Sequence, residues 1–225
     1  KKNLTIDAKN SGTFGRLILG LLIKSPKKIK VIGDKSLSKR DFSRVTIPLE
    51  KFGVKFFYKI KNKLPLIILG TESAKSIKYL ENKGSAQCKS SVMLAALNAS
   101  GITSIKAKKS RNHTELLFKY LKIPIKVKKT KKFDFIDIKR PKKINAFNYQ
   151  IPGDISSSAF FMVLTTLADN SKLLIKNVNI NPSRVGVITI LKKMGAQITH
   201  KNQKNYRGEK ISDILIKSSK KLKAI

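Results

Sequence analysis

A chain of 225 residues with 41% apolar composition is long enough to bury a sizeable core and reads as globular, in one or more compact units. Its formal net charge of +36 invites a nucleic-acid-binding reading, but the 49 basic residues comprise only seven Arg, and the Lys are spread along nearly the whole length, as on a solvated Lys-rich surface. A single Cys, Cys88, excludes an internal disulfide, and no metal-ligand cluster is apparent beside His113 and His200; with no apolar run of membrane-spanning length and no signal-peptide pattern, a cytoplasmic location is expected.

In chain order, Lys1 to Ala8 alternates like a strand around Leu4 and Ile6, then meets Asn10-Ser11-Gly12-Thr13-Phe14-Gly15-Arg16. A helix is expected from near Gly12 through the apolar run Leu17 to Ile23. A short strand over Ile29 to Gly33 leads into a polar loop, Asp34 to Lys39, then Arg40 and an amphipathic helix from about Asp41 to Phe52 closed by Gly53. Strands are expected over Val54 to Ile60 and Leu64 to Leu69, paired across the turn at Lys61-Asn62-Lys63.

The stretch Gly84 to Leu97 opens with small polar residues and runs into an apolar helix ending near Asn98. Helix starts leave backbone N–H groups unpaired and carry partial positive charge, so this end suits an anion, with Ser85 and Gln87 as further donors. A strand over Ile102 to Ala107, a basic loop, Arg111, a helix near His113 to Leu121 and strands Ile123 to Val127 and Phe133 to Ile138 follow. The same grammar returns at Asp154: a helix from Ser156 to Leu167, a strand Leu173 to Val178, Arg184, a helix Val185 to Met194 closed by Gly195, and strands Gln197 to Thr199 and Ile211 to Ile216.

Two alignments mark a repeat of about seventy residues. Arg40, Arg111 and Arg184 fall at corresponding places, and the segments Leu49 to Gly53, Leu117 to Leu121 and Leu191 to Gly195 end the second helix of each pass. The architecture expected is α/β (α+β), with a boundary near residue 150 after the Lys-rich, Pro141-containing connection.

The chain resembles the 5-enolpyruvylshikimate-3-phosphate synthase family. The motifs are NSGTFGR (Asn10 to Arg16), GDKSLSKR (Gly33 to Arg40), SAQCKS (Ser85 to Ser90), SRNHTE (Ser110 to Glu115), IPGDISSSAFF (Ile151 to Phe161) and NPSRVG (Asn181 to Gly186), in the family's order and over nearly the whole chain. The resemblance implies the enolpyruvyl transferase inverse-barrel fold: two domains of repeated βαβαββ units, with helix N-termini facing a cleft. Mapped on that plan the chain is an internal fragment. Residues 1–150 would hold two units of the N-terminal-side domain, its first unit missing, and residues 151–225 the first unit of the second domain, the remainder missing.

The implied reaction transfers the enolpyruvyl group of phosphoenolpyruvate to the 5-hydroxyl of shikimate 3-phosphate and releases phosphate through a tetrahedral intermediate, with no metal or organic cofactor. By the same resemblance Gly12, Arg40 and Gln87 bind phosphoenolpyruvate, supported by Asn10 and Thr13. Ser85, Ala86, Gln87 and Arg111 bind shikimate 3-phosphate, and Ser85 also reads as a helix cap. Gly12 in place of Ala implies sensitivity to glyphosate. Arg184 and His113 are expected to be structural, and Cys88 to be a buried helix residue. Asn112 stands where the family usually has Asp, Asp41 where Pro is usual and Val185 where Thr is common.

The family's proton-transfer carboxylates and lysine fall outside the mapped stretch, so no catalytic residue is assigned and the chain alone is expected to be inactive and to bind substrates weakly. The full-length protein is expected to be a monomer with small-molecule substrates and neither nucleic acid nor membrane as partner. Two alternatives remain at this stage. The UDP-N-acetylglucosamine enolpyruvyl transferase shares the repeat but normally carries a reactive Cys in a Gly-rich loop. A basic nucleic-acid-binding repeat protein would explain the charge but lacks aromatic stacking positions and an Arg-rich face.

Overall fold

A computed structural model describes residues 4–225. The strand reading at Lys1 to Asn3 lies outside them. Contacts divide the chain into two compact units: the chain up to Ser110 together with Leu121–Ile144, and Arg111–Tyr120 together with Asn145–Ile225.

The first unit carries two copies of one sheet plan. Strands β1 (Leu4–Asp7), β2 (Ile29–Ile32), β3 (Lys55–Tyr58) and β4 (Leu66–Leu69) lie in the order β1-β2-β4-β3, with β1 parallel to β2 and the other pairs antiparallel. Strands β5 (Lys78–Glu81), β6 (Ile102–Lys108), β7 (Ile125–Lys129) and β8 (Phe133–Lys139) repeat it as β5-β6-β8-β7. The single parallel pair in each sheet needs a crossover, supplied by helix α1 (Gly12–Leu21) in the first copy and α4 (Ala86–Ala96) in the second.

These two helices pack on each other and on α3 (Ser43–Glu50). Contact is close because α1 is Gly-rich: a Cβ on Gly20 would stand 2.2 Å from the Ser91 carbonyl oxygen of α4. Helix α4 is buried on nearly all sides, from Cys88 through Met93 and again at Ala95 and Ala96, so its sequence shows little amphipathic periodicity. Leu19, Leu37, Phe42, Leu49, Phe52, Leu66 and Ile68 are fully buried in this unit, as are Val92 and Met93 of α4 itself.

The second unit contains α5 (His113–Tyr120), α6 (Ile155–Leu167), α7 (Gly186–Lys193), β9 (Lys172–Asn179), β10 (Gln197–Tyr206) and β11 (Glu209–Lys217). Its sheet runs β10-β11-β9, all antiparallel. Gly153 adds a parallel bridge to Val178 of β9, where the earlier copies have their first strand. The core gathers Ile155, Met162, Val178, Ile188, Leu191, Ile198, Ile214 and Ile216. Helix α5 lies between β6 and β7 in sequence yet packs on β11.

Four elements differ from the sequence reading. The loop expected over Asp34 to Lys39 contains a helical turn, α2 (Lys35–Ser38), because Asp34 accepts a hydrogen bond from the Leu37 N–H at 2.7 Å and caps it. Strand β5 has no counterpart in the reading; its four residues, KYLE, are too few to show a period, and the parallel pairing with β6 defines them. The helix expected to reach Ile23 turns 3-10 at Leu22–Lys24. Strand β10 runs seven residues past the expected end at Thr199, through the polar segment HKNQKNY. Ladder pairing with β11 and a two-residue turn with positive φ at both Arg207 and Gly208 hold that segment extended, despite its composition.

Candidate anion-binding site at two helix starts

The first unit brings the starts of α1 and α4 together. Each is capped by a neutral hydroxyl: Ser11 Oγ accepts from the Phe14 N–H at 3.1 Å, and Ser85 Oγ from the Cys88 N–H at 3.3 Å. Gln87, in the first turn of α4, reaches the first turn of α1. Its Nε2 donates to Thr13 Oγ1 at 2.7 Å, and its Oε1 accepts from Arg16 Nη1 at 2.8 Å. The helix crossing at Gly20 and Ser91, with Ser91 Oγ donating to the Arg16 carbonyl at 3.0 Å, holds the two starts in this register.

Gly12 is where the guanidinium groups converge. A Cβ there would lie 3.0 Å from Arg16 Nη1 and 3.1 Å from Arg40 Nη1, so the missing side chain leaves room for both. Arg40 lies just past α2, its backbone N–H donating to the Leu37 carbonyl at 3.0 Å. Asn10, just before the cap of α1, donates to the Asp34 carboxylate. The Arg16 guanidinium sits over the buried Phe42 ring at 5.3 Å, and burial, reinforced by the neighbouring Arg40 and Arg44 charges, holds its pKa below the ordinary arginine value.

The nearest carboxylates spend their hydrogen bonds on other groups, while Asp34 still lies in the field of Arg40 and Asp41 in that of Arg44 and Arg16. Asp34 is held below the usual range by the Leu37 N–H and Asn10, and Asp41 by the hydroxyl and N–H of Ser43. Among the described residues no carboxylate is in ion-pair contact with Arg16 or Arg40. Two helix N-termini and two guanidinium groups, neither in direct contact with a carboxylate, make a locus of positive potential suited to a phosphate or carboxylate.

The family model for EPSP synthase (3-phosphoshikimate 1-carboxyvinyltransferase) matches residues 1–223. The chain belongs to the EPSP synthase family. It is 44% identical over 220 residues to the 3-phosphoshikimate 1-carboxyvinyltransferase of Ruthia magnifica, covering 97% of this chain and 49% of that protein. It is 41% identical over 216 residues to that of Petrotoga mobilis, covering 95% and 49%. A solved EPSP synthase from Acinetobacter baumannii superposes with a TM-score of 0.84 at 37% identity, over all of this chain and 50% of its own. The chain thus spans about half the length of the relatives it matches.

Set against this EPSP synthase frame, Gly12, Thr13, Arg40 and Gln87 come together in the first unit, with Asn10 at its edge and Ser85 and Ala86 at the start of α4. Arg111 belongs to the second unit, at the entry to α5. There His113 Nδ1 pairs with Glu209 at 2.5 Å, and the buried Asn181 donates to both Glu209 and Asn112. Burial raises the Glu209 pKa, but the bonds from His113, Asn179 and Asn181 outweigh it, so the carboxyl is held below its ordinary range. Arg184 donates to Asp154 at 3.0 Å and to Ser156, tying down the start of α6.

The sequence reading missed Arg16 as a site residue. The signal was present: Arg16 is four residues after Gly12, one turn along the same face of α1. None of the described helices is long and apolar enough to cross a membrane.

Proposed function

We propose that the protein to which this chain contributes transfers the enolpyruvyl group of phosphoenolpyruvate to the 5-hydroxyl of shikimate 3-phosphate, releasing phosphate. The observation that carries the reading is the convergence of Gly12, Arg16, Arg40 and Gln87 at two helix starts, in a chain whose family performs this reaction. Arg40 offers a planar fork to the carboxylate or phosphate of phosphoenolpyruvate, each charge-assisted bond contributing roughly 1.5–3 kcal/mol. Gly12 admits the ligand beside that fork. Ser85, Ala86 and Gln87 present N–H and hydroxyl donors to the shikimate 3-phosphate. Catalysis on this reading comes from holding two mutually repelling anions side by side and from fixed donors facing the charge that develops between them.

The strand order supports two repeats in residues 1–150 and one in residues 151–225, assigned to two domains of the whole enzyme. The full-length enzyme is taken as a cytoplasmic monomer that is inhibited by glyphosate and has no nucleic-acid partner.

The test is shikimate-3-phosphate-dependent release of inorganic phosphate from phosphoenolpyruvate. Residues 1–223 grafted in place of the matching half of the Petrotoga mobilis relative should restore turnover, whereas the 225-residue chain alone should show none. A folded graft that releases no phosphate would overturn the assignment. Turnover by the chain alone would overturn the expectation that it is inactive.

A further inference from the structure

Arg16 adds its charge to the anion site but is assigned no bond to either substrate, and its contact with Gln87 decides how that side chain can be used. A guanidinium has donors only, so the Gln87 atom 2.8 Å from Arg16 Nη1 must be the carboxamide oxygen. The nitrogen is thereby turned to Thr13, whose Oγ1 accepts at 2.7 Å. Arg16 has little freedom to change this: its guanidinium rests on the Phe42 ring, Phe42 is wholly buried, and the Arg16 carbonyl is fixed by the Ser91 hydroxyl. With one N–H spent on Thr13, the Gln87 carboxamide keeps its second N–H for another acceptor. Thr13 accepts with its oxygen and keeps its own proton to donate.

We propose that Arg16 is a positioning residue that locks Gln87 and Thr13 into a face presenting hydrogen-bond donors, selecting ligands that offer acceptor oxygens. The ligands named rest on the preceding functional reading; the locked carboxamide rests on the bonds alone. Without Arg16 the carboxamide is free to rotate by half a turn and present its oxygen, which repels a phosphate or carboxylate.

Three variants in the Petrotoga graft separate this role from a structural one: Gln87→Glu, Arg16→Met and Arg16→Lys. Glu at 87 still accepts from Arg16 but has no N–H, so thermal stability should hold while affinity for the anion falls. Calorimetric titration with inorganic phosphate and with phosphoenolpyruvate should show Q87E and R16M binding at least about tenfold more weakly, and R16K, which keeps one donor to Oε1, recovering part of the loss. In turnover, R16M should lower kcat/KM by about 10- to 100-fold, the scale of a misplaced contact. Unchanged anion affinity in Q87E, or an R16M variant that loses only thermal stability, would overturn the proposal. Titration reads the orientation whether or not the graft turns over, so failure of the functional reading appears separately, as an unsubstituted graft that folds and binds phosphate but releases none.

Discussion

The start of α6 and the starts of α1 and α4 use the same kind of cap and end in opposite electrostatic states. Asp154 caps α6 through the Ser157 N–H at 2.9 Å, and Arg184 meets its carboxylate at 3.0 Å. Partial burial raises the Asp154 pKa, but the Ser157 bonds and the Arg184 charge outweigh it, so the group is held charged below the usual carboxylate range. The macrodipole of α6 is thus answered within the chain. Ser11 and Ser85 satisfy the same backbone N–H groups with neutral oxygens, and the charges beside them are Arg16 and Arg40. A helix start is suited to an anion when its cap brings no charge and its neighbours add to its potential.

Removing the added potential should have the largest effect. Arg40→Ala in the graft should cost about 1.5–3 kcal/mol of transition-state stabilisation, read as a ten- to hundredfold or greater fall in kcat/KM for phosphoenolpyruvate, because one charge-assisted fork is lost. A fall below threefold would show that the two helix starts bind the anion without it. Next comes the register that brings α1 and α4 together. Gly20→Ala places a methyl 2.2 Å from the Ser91 carbonyl oxygen, and since backbone must move, a loss of about 1–3 kcal/mol is expected in urea unfolding, together with weaker phosphate binding. Weaker stability with unaltered binding would separate the helix crossing from the site.

The caps come last and sharpen the contrast. Asp154→Ala should cost about 1 kcal/mol at neutral pH, as a lost N-cap does. Because the folded-state pKa is depressed, this contribution is present above the ordinary carboxylate pKa and lost as pH falls through the lowered value. Urea midpoints of variant and parent should therefore differ at neutral pH and converge in acid. Ser85→Ala should cost about 0.5–1 kcal/mol with no such pH dependence, since a hydroxyl does not titrate in that range. A pH-dependent difference at Ser85 would assign the contrast to something other than the cap.

Much of the frame could be read along the chain because its signals are local. The helices at Gly12 and Ser85 announce themselves by small polar caps followed by apolar runs, and the recurrence of Arg40, Arg111 and Arg184 marks three passes of one plan, of which the third sheet keeps the last three strands with a bridge at Gly153 in place of the first. What could not be read depends on partners distant in sequence. Strand β5 and the outer stretch of β10, His200 to Tyr206, show no period of their own and are defined by pairing with β6 and β11. Helix α5 follows β6 in sequence but packs with β11, where His113 meets Glu209 96 residues away.

The candidate site divides along the same line. Residue types and spacing marked the helix starts and the recurring Arg40, because capping is decided within a few residues of chain, and the family resemblance singled out Gly12 and Arg40 as site residues. Only the tertiary structure decided that Arg16 turns the Gln87 carboxamide and that two guanidinium groups converge over Gly12. That orientation and convergence depend on α1 and α4 crossing at Gly20 and Ser91, whose two segments lie 71 residues apart.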